Sequence, residues 1–169
     1  MLITTLGWLD ALAAPLDPTK VLGTYALSED PTAVQARVDA AVETSVASLP
    51  WALRGIARSR MKDLPWCRTW TLAVEGSTLA VRCAGSDRDV TVDLETHKGT
   101  TIGRDGSQVP VEASVRDDQL VLTLRGAQGT TVRTYQRSDA GLALSVVSSS
   151  DRLPEPLAFQ VHYARKPAP

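Results

Sequence analysis

The chain has 169 residues, 43% hydrophobic and 22% charged, enough for one domain with a sizeable core. Its formal net charge of −1 gives no footing for nucleic acid, whose binding rests on clustered positive charge. It contains no repeat, no low-complexity tract and no apolar run long enough to cross a membrane as a helix.

Residues 1–19 form an N-terminal segment set apart from the domain. Leu2–Leu12 is fairly apolar and runs into Ala11-Leu12-Ala13-Ala14-Pro15, a small-residue pattern like a signal-peptide cleavage site. No Lys or Arg precedes it and Asp10 interrupts it, so a degenerate signal peptide and a short terminal helix both fit. The domain spans residues 20–166.

Lys20–Ser28 is β-branched and aromatic and predicts a first strand. Ser28 or Asp30 then caps a helix with Pro31 at its start. Val34, Val38, Val42 and Val46 recur every fourth residue, with Leu49 after them, as one apolar stripe. Pro50 ends this helix and begins a second, Trp51–Leu64. Along it Arg54, Arg58 and Lys62 form one cationic edge, while Leu53, Ile56, Ala57, Met61 and Leu64 supply a core-facing stripe. The plain reading of the edge is a solvated face. The sharper one is a portal surface that transiently meets anionic lipid heads while ligand is exchanged.

From Cys67 onward the period is two. Trp70, Leu72, Val74 alternate with polar or small neighbours, followed by Leu79, Val81, Cys83 and by Val90, Val92, Leu94. Further sets end with Leu157, Phe159, Val161, Tyr163. One apolar and one polar face is the pattern of an antiparallel sheet wetted on one side. Hairpin loops of even length set Val74 opposite Leu79, Cys83 opposite Val90, Ile102 opposite Val109 and Val115 opposite Leu120.

This order predicts a mainly β fold: an antiparallel up-and-down β-barrel of about ten strands, with a two-helix cap inserted after the first. The alternative is a collapsed sandwich. The inward residues are mostly Val, Leu, Ala and Thr, and the whole chain has one Phe and three Tyr. Ten strands also make a wider barrel than eight, so an incompletely filled interior is expected.

Thr130–Arg137 breaks the pattern, with polar residues on both faces. Four-residue loops on either side place Arg133 opposite Leu122 and Val146, and Tyr135 opposite Leu120 and Leu144, so both face inward. A guanidinium there needs a partner. A ligand carboxylate or phosphate could supply it, since guanidinium binds both bidentately; an internal acid, or a bulge turning Arg133 outward, are the alternatives.

The same register turns Cys83 inward and Cys67 outward, which argues against a disulfide. His97 falls in a turn and His162 on the outer face of the last strand. No metal-ligand spacing, phosphate loop or nucleophile–base arrangement appears, so no cofactor, metal or catalytic residue is assigned.

The strand Leu22-Gly23-Thr24-Tyr25, the helix pair and the nine strands that follow resemble the intracellular fatty-acid-binding proteins and the wider lipocalin-like (calycin) group. Asp117–Leu144 is similar to their late hairpins in turn placement. The tail SSSDRLPEPLAFQVHYARK is similar to uncharacterised bacterial lipocalin-like proteins, commonly exported. The resemblance implies Arg133 as a holder of a ligand carboxylate. It also implies an Arg-x-Tyr pair on the last strand, where Tyr163 is present but Val161 stands in place of the arginine.

The resulting expectation is a monomeric, non-catalytic carrier of a small hydrophobic or amphipathic molecule, with export favoured over the cytoplasm. The ligand would lie among Trp70, Leu72, Val81, Val92, Leu122, Tyr135, Leu144 and Phe159, anchored by Arg133. A filled structural or protein-interaction barrel, and a haem-binding or enzymatic relative, are the alternatives.

Overall fold

The structure is a computed structural model that describes residues 16–61, 66–103, 105–116 and 118–167. The question of residues 1–15 therefore lies outside the described residues, as does Lys62. Thr19–Val21 forms a 3-10 turn, closed by the Val21 N–H donating to the Pro18 carbonyl at 2.9 Å. The first strand, β1, is accordingly shorter than predicted, Gly23–Leu27.

Helix α1 spans Pro31–Val46. The Asp30 carboxylate accepts from the Thr32 and Ala33 N–H groups, and Pro31 occupies the first turn, where a missing donor costs nothing. Val34, Val38, Val42 and Val46 are all buried, as their spacing predicts. Helix α2, Trp51–Met61, follows Pro50.

Nine more strands complete the described residues: β2 Thr69–Glu75, β3 Thr78–Cys83, β4 Val90–Asp93, β5 Lys98–Ile102, β6 Gln108–Arg116, β7 Gln119–Gly126, β8 Gly129–Ser138, β9 Gly141–Ser149 and β10 Leu157–Arg165. Each pairs antiparallel with its sequence neighbour, and β1 joins β10 to β2, so the sheet closes. The fold is mainly β: a ten-stranded closed barrel with two helices inserted after the first strand. Closure leaves no strand edge unpaired.

The register confirms Val74 opposite Leu79 and Val115 opposite Leu120. Two other pairings are corrected. Val90 lies opposite Val81 rather than Cys83, because the intervening loop is longer than assumed and carries its own turn, from Ser86 N–H to Cys83 carbonyl. The shift is by two residues, so the inward set is unchanged.

Between β5 and β6 the loop holds five residues, an odd number, and Thr101 rather than Ile102 meets Val109. Ile102 therefore points to solvent and Thr101 inward. The Thr101 hydroxyl donates to the Asp89 carbonyl at 2.9 Å, which satisfies it there.

The expectation about the cysteines is also overturned: Cys67 and Cys83 form a disulfide, with Cα atoms 5.6 Å apart. Cys83 lies opposite Trp70 as predicted, but β2 begins only at Thr69 and the chain bends at Arg68. Strand alternation does not extend back to Cys67, which turns into the core instead of out.

The two ends of the barrel differ. Residues 16–22 lie across one end, where Leu16 and Val21 are buried and the Tyr25 hydroxyl donates to the Val21 carbonyl at 3.0 Å. The helices lie at the other, the mouth. There α1 is tied to β10: Arg37 donates to the Gln160 carbonyl at 2.6 Å, and the Glu29 carboxylate accepts the His162 N–H at 2.6 Å while pairing with Arg37.

Candidate functional site

Strand β8 carries the polar side chains that alternation sends inward. Arg133 lies between Leu122 and Val146, and Tyr135 between Leu120 and Leu144, as both flanking hairpins predict. Tyr135 is fully buried and Arg133 partly so. Across the barrel, the Trp70 ring meets the Tyr135 ring edge-on, with centroids 5.7 Å apart. Tyr163 on β10 completes the group, its hydroxyl within electrostatic reach of the Trp70 indole and of Tyr135.

These groups are short of partners. The Trp70 indole N–H and the Tyr135 and Tyr163 hydroxyls are buried without a hydrogen bond of good geometry, although the Trp70 N–H and the Cys67 backbone both approach the Tyr163 hydroxyl. Among the described residues, no carboxylate pairs with Arg133. Its charge reaches the Tyr135 hydroxyl without meeting hydrogen-bond geometry. Burial raises the Tyr135 phenol above its ordinary range, and Arg133 opposes the shift. Burial likewise pushes Tyr163 up to about 12, with the Trp70 N–H opposing it and Tyr135 adding to it. Both phenols are held neutral, so the cluster offers one fixed cation, an indole donor and two hydroxyls.

Trp70, Leu72, Val81, Val92, Leu122, Tyr135, Leu144 and Phe159 are buried in one contiguous core. Tyr25, Leu79, Leu120 and Val161 are wholly buried, as are Val90 and Leu157 nearer the helices, while Val146 and Phe159, on the strands beside Arg133, keep 8% and 9% exposure. Thr131 and Ser148, beyond Arg133, share a hydrogen bond of 2.9 Å and are only partly buried. On this side of the barrel Arg133 and its neighbours Thr131 and Ser148 are partly exposed.

Tyr163 was not among the site residues read from sequence. Its signal was present: a hydroxyl-bearing side chain on the inward phase of the last strand.

Arg54 and Arg58 of the α2 edge have partners within the protein. Arg58 forms two hydrogen bonds of 2.6 Å with the Glu43 carboxylate of α1, and Arg54 donates to the Leu49 carbonyl at 2.7 Å. The expected core-facing stripe of α2 is only partly so: Met61 packs against the core, but Leu53 is 49% and Ile56 54% exposed, and Trp51, at the start of the helix, is 86% exposed. A pocket of about 570 Å³ lies between this stripe and the β9–β10 loop, and a more polar one of about 540 Å³ lies between that loop and the β7–β8 turn.

His162 is on the outer face and exposed, while His97 sits in the β4–β5 turn at a φ of 60°. No group of three or more His, Cys, Asp or Glu able to hold a metal ion occurs among the described residues. No described helix is long and apolar enough to cross a membrane.

No protein-family model matches the sequence, and no curated protein matches it. Solved structures do. As-p18, an extracellular fatty acid binding protein, is 14% identical with a TM-score of 0.51, covering 88% of this chain and 98% of that one. A Schistosoma mansoni fatty acid binding protein in complex with arachidonic acid is 17% identical, with a TM-score of 0.49 over 88% and 98% of the two chains. A zebrafish ileal bile acid-binding protein complexed with cholic acid is 10% identical, with a TM-score of 0.49 over 88% and 100%. Strand order, closure, the helix insertion and the likeness to As-p18 define the fold as that of the fatty-acid-binding-protein-like, or calycin-like, barrels.

Proposed function

We propose that this protein is a non-catalytic carrier of a small amphipathic molecule with an anionic head, held inside the barrel. The observation that carries the reading is the convergence of Trp70, Tyr135 and Tyr163, buried in the apolar core without well-formed hydrogen bonds, with the half-buried Arg133 beside Tyr135. A buried donor without an acceptor costs about 1–3 kcal/mol; a carboxylate or phosphate would supply acceptors to the three buried groups and a partner for the Arg133 charge. The likeness in fold to As-p18 supports a hydrophobic cargo.

Export fits the same reading, since a disulfide persists in oxidising compartments. Transient contact with a membrane surface through α2 also belongs to it. Its support is the exposed Trp51, Leu53 and Ile56 rather than Arg58, whose charge Glu43 neutralises. A filled interaction barrel is the second reading, favoured by the near-complete burial of side chains towards the closed end.

The test is native mass spectrometry of the protein from its own host, followed by denaturing extraction. A co-purifying anion released on denaturation is expected, and Arg133→Ala should lower its retention about tenfold or more, the scale of a lost charge-assisted pair. A clean apo mass that also takes up no fluorescent lipid probe would sink the carrier reading. Unchanged retention by Arg133→Ala would sink the anchor alone.

A further inference from the structure

The 570 Å³ pocket at the mouth stands outside the barrel wall, in none of the positions the interior reading uses. One wall is α2, with the exposed Leu53 and Ile56 and the partly buried Ala57 and Met61. The other is Leu153 and Arg152 of the β9–β10 loop, with Ser150 between that loop and β9. Its size is that of a small-molecule site, and its lining is mostly aliphatic.

Strand β9 connects this pocket to the interior. Val146, paired with Arg133, faces inward; Ser148 follows on the same phase of the strand, and Ser150, the first residue past its end, lines the pocket. Along the way the inner face changes from fully buried to partly exposed. Four residues of extended chain separate Arg133's neighbour from the pocket, about 13 Å. The α2 wall from Leu53 to Met61 adds about 12 Å of helix. Arg152 lines both this pocket and the more polar one beside it, and no carboxylate pairs with it among the described residues.

We propose that this groove is a second, apolar subsite, occupied by the tail of the same molecule whose head lies beside Arg133. The inference rests on the carrier reading and sets a length for the cargo. A short acid fills only the interior; a chain longer than about 13 Å enters the groove, and one of about 25 Å would span it. The exposed part of the α2 stripe then has a partner, and its apolar area leaves water when the ligand binds.

The experiment is a titration of the full chain with octanoate and palmitate, by calorimetry or probe displacement, in wild type, Ala57→Trp, Leu53→Ser/Ile56→Ser and Arg133→Ala. Ala57→Trp fills the groove, and the double variant removes its apolar wall at exposed positions, where folding is spared. Wild type should bind palmitate more tightly than octanoate. Both groove changes should weaken palmitate about tenfold, the loss of a few buried methylenes, and leave octanoate within about twofold. Equal effects on the two acids, or none on palmitate, would overturn the groove as a tail subsite. Arg133→Ala reports separately: if it changes neither acid while the groove variants still weaken palmitate alone, the anchor fails and the groove stands. A wild type that binds neither acid overturns both.

Discussion

Tyr163 shows how a single side chain records its surroundings. Burial pushes its phenol up to about 12 from an ordinary 10.0, because a phenolate loses its hydration in the core. Tyr25 and Tyr135 are shifted in the same direction, also chiefly by burial. Such groups favour folding while the unfolded chain's tyrosines remain protonated, below pH about 10. Above that the unfolded state releases protons first, so stability falls from about pH 10 through the folded value of about 12. An absorbance titration should show tyrosinate appearing together with loss of the near-ultraviolet dichroism. Three phenols titrating near pH 10 in a still folded protein would contradict the burial described.

The disulfide belongs to the same scale. Cys67 and Cys83 are 16 residues apart, and a loop of that size contributes about 3 kcal/mol by restricting the unfolded chain. Cys67→Ser should lower the unfolding free energy by about 2–4 kcal/mol in denaturant titrations. Adding reductant to wild type should reproduce the loss, whereas a variant as stable as wild type would show the bond to be idle.

Among elements, the two helices behave as opposites despite similar sequence periodicity. In α1 the valine stripe is buried, its first turn is capped by Asp30, and Arg37 and Glu29 fasten it to β10. Asp30→Ala should cost about 1 kcal/mol, read as a lower urea midpoint at unchanged slope. Helix α2 offers an equally regular stripe, but only its end, at Met61, packs against the core, and Leu53 and Ile56 remain half exposed. Periodicity states that a face is apolar; it does not state what will cover it.

At the level of the whole molecule, closure is the decisive event. β1 is only Gly23–Leu27, yet it bonds β10 on one side and β2 on the other. It thereby brings Trp70 of β2 and Tyr163 of β10 into reach of Tyr135, on β8. Burial and sheet bonding are densest from β6 to β10 and absent from the exposed face of α2. Hydrogen exchange should therefore be slowest in β7–β10 and fastest in α2, with α1 between them. Protection of α2 equal to that of β9 would mean that its stripe is covered in solution.

Much of this was legible in one dimension, for a definite reason. Alternation along a strand and a short hairpin between two strands are local, so element order and the inward placement of Arg133 and Tyr135 follow from residue spacing alone. Local rules stop where a loop has odd length or a strand ends early. The five-residue β5–β6 loop turned Thr101 inward, and the bend at Arg68 turned Cys67 to meet Cys83. The convergence of Trp70, Tyr135 and Tyr163, and the groove beside α2, join residues far apart in the chain. Only closure of the barrel and the seating of the helices decide such contacts, since they depend on distances between elements that no sequence period contains.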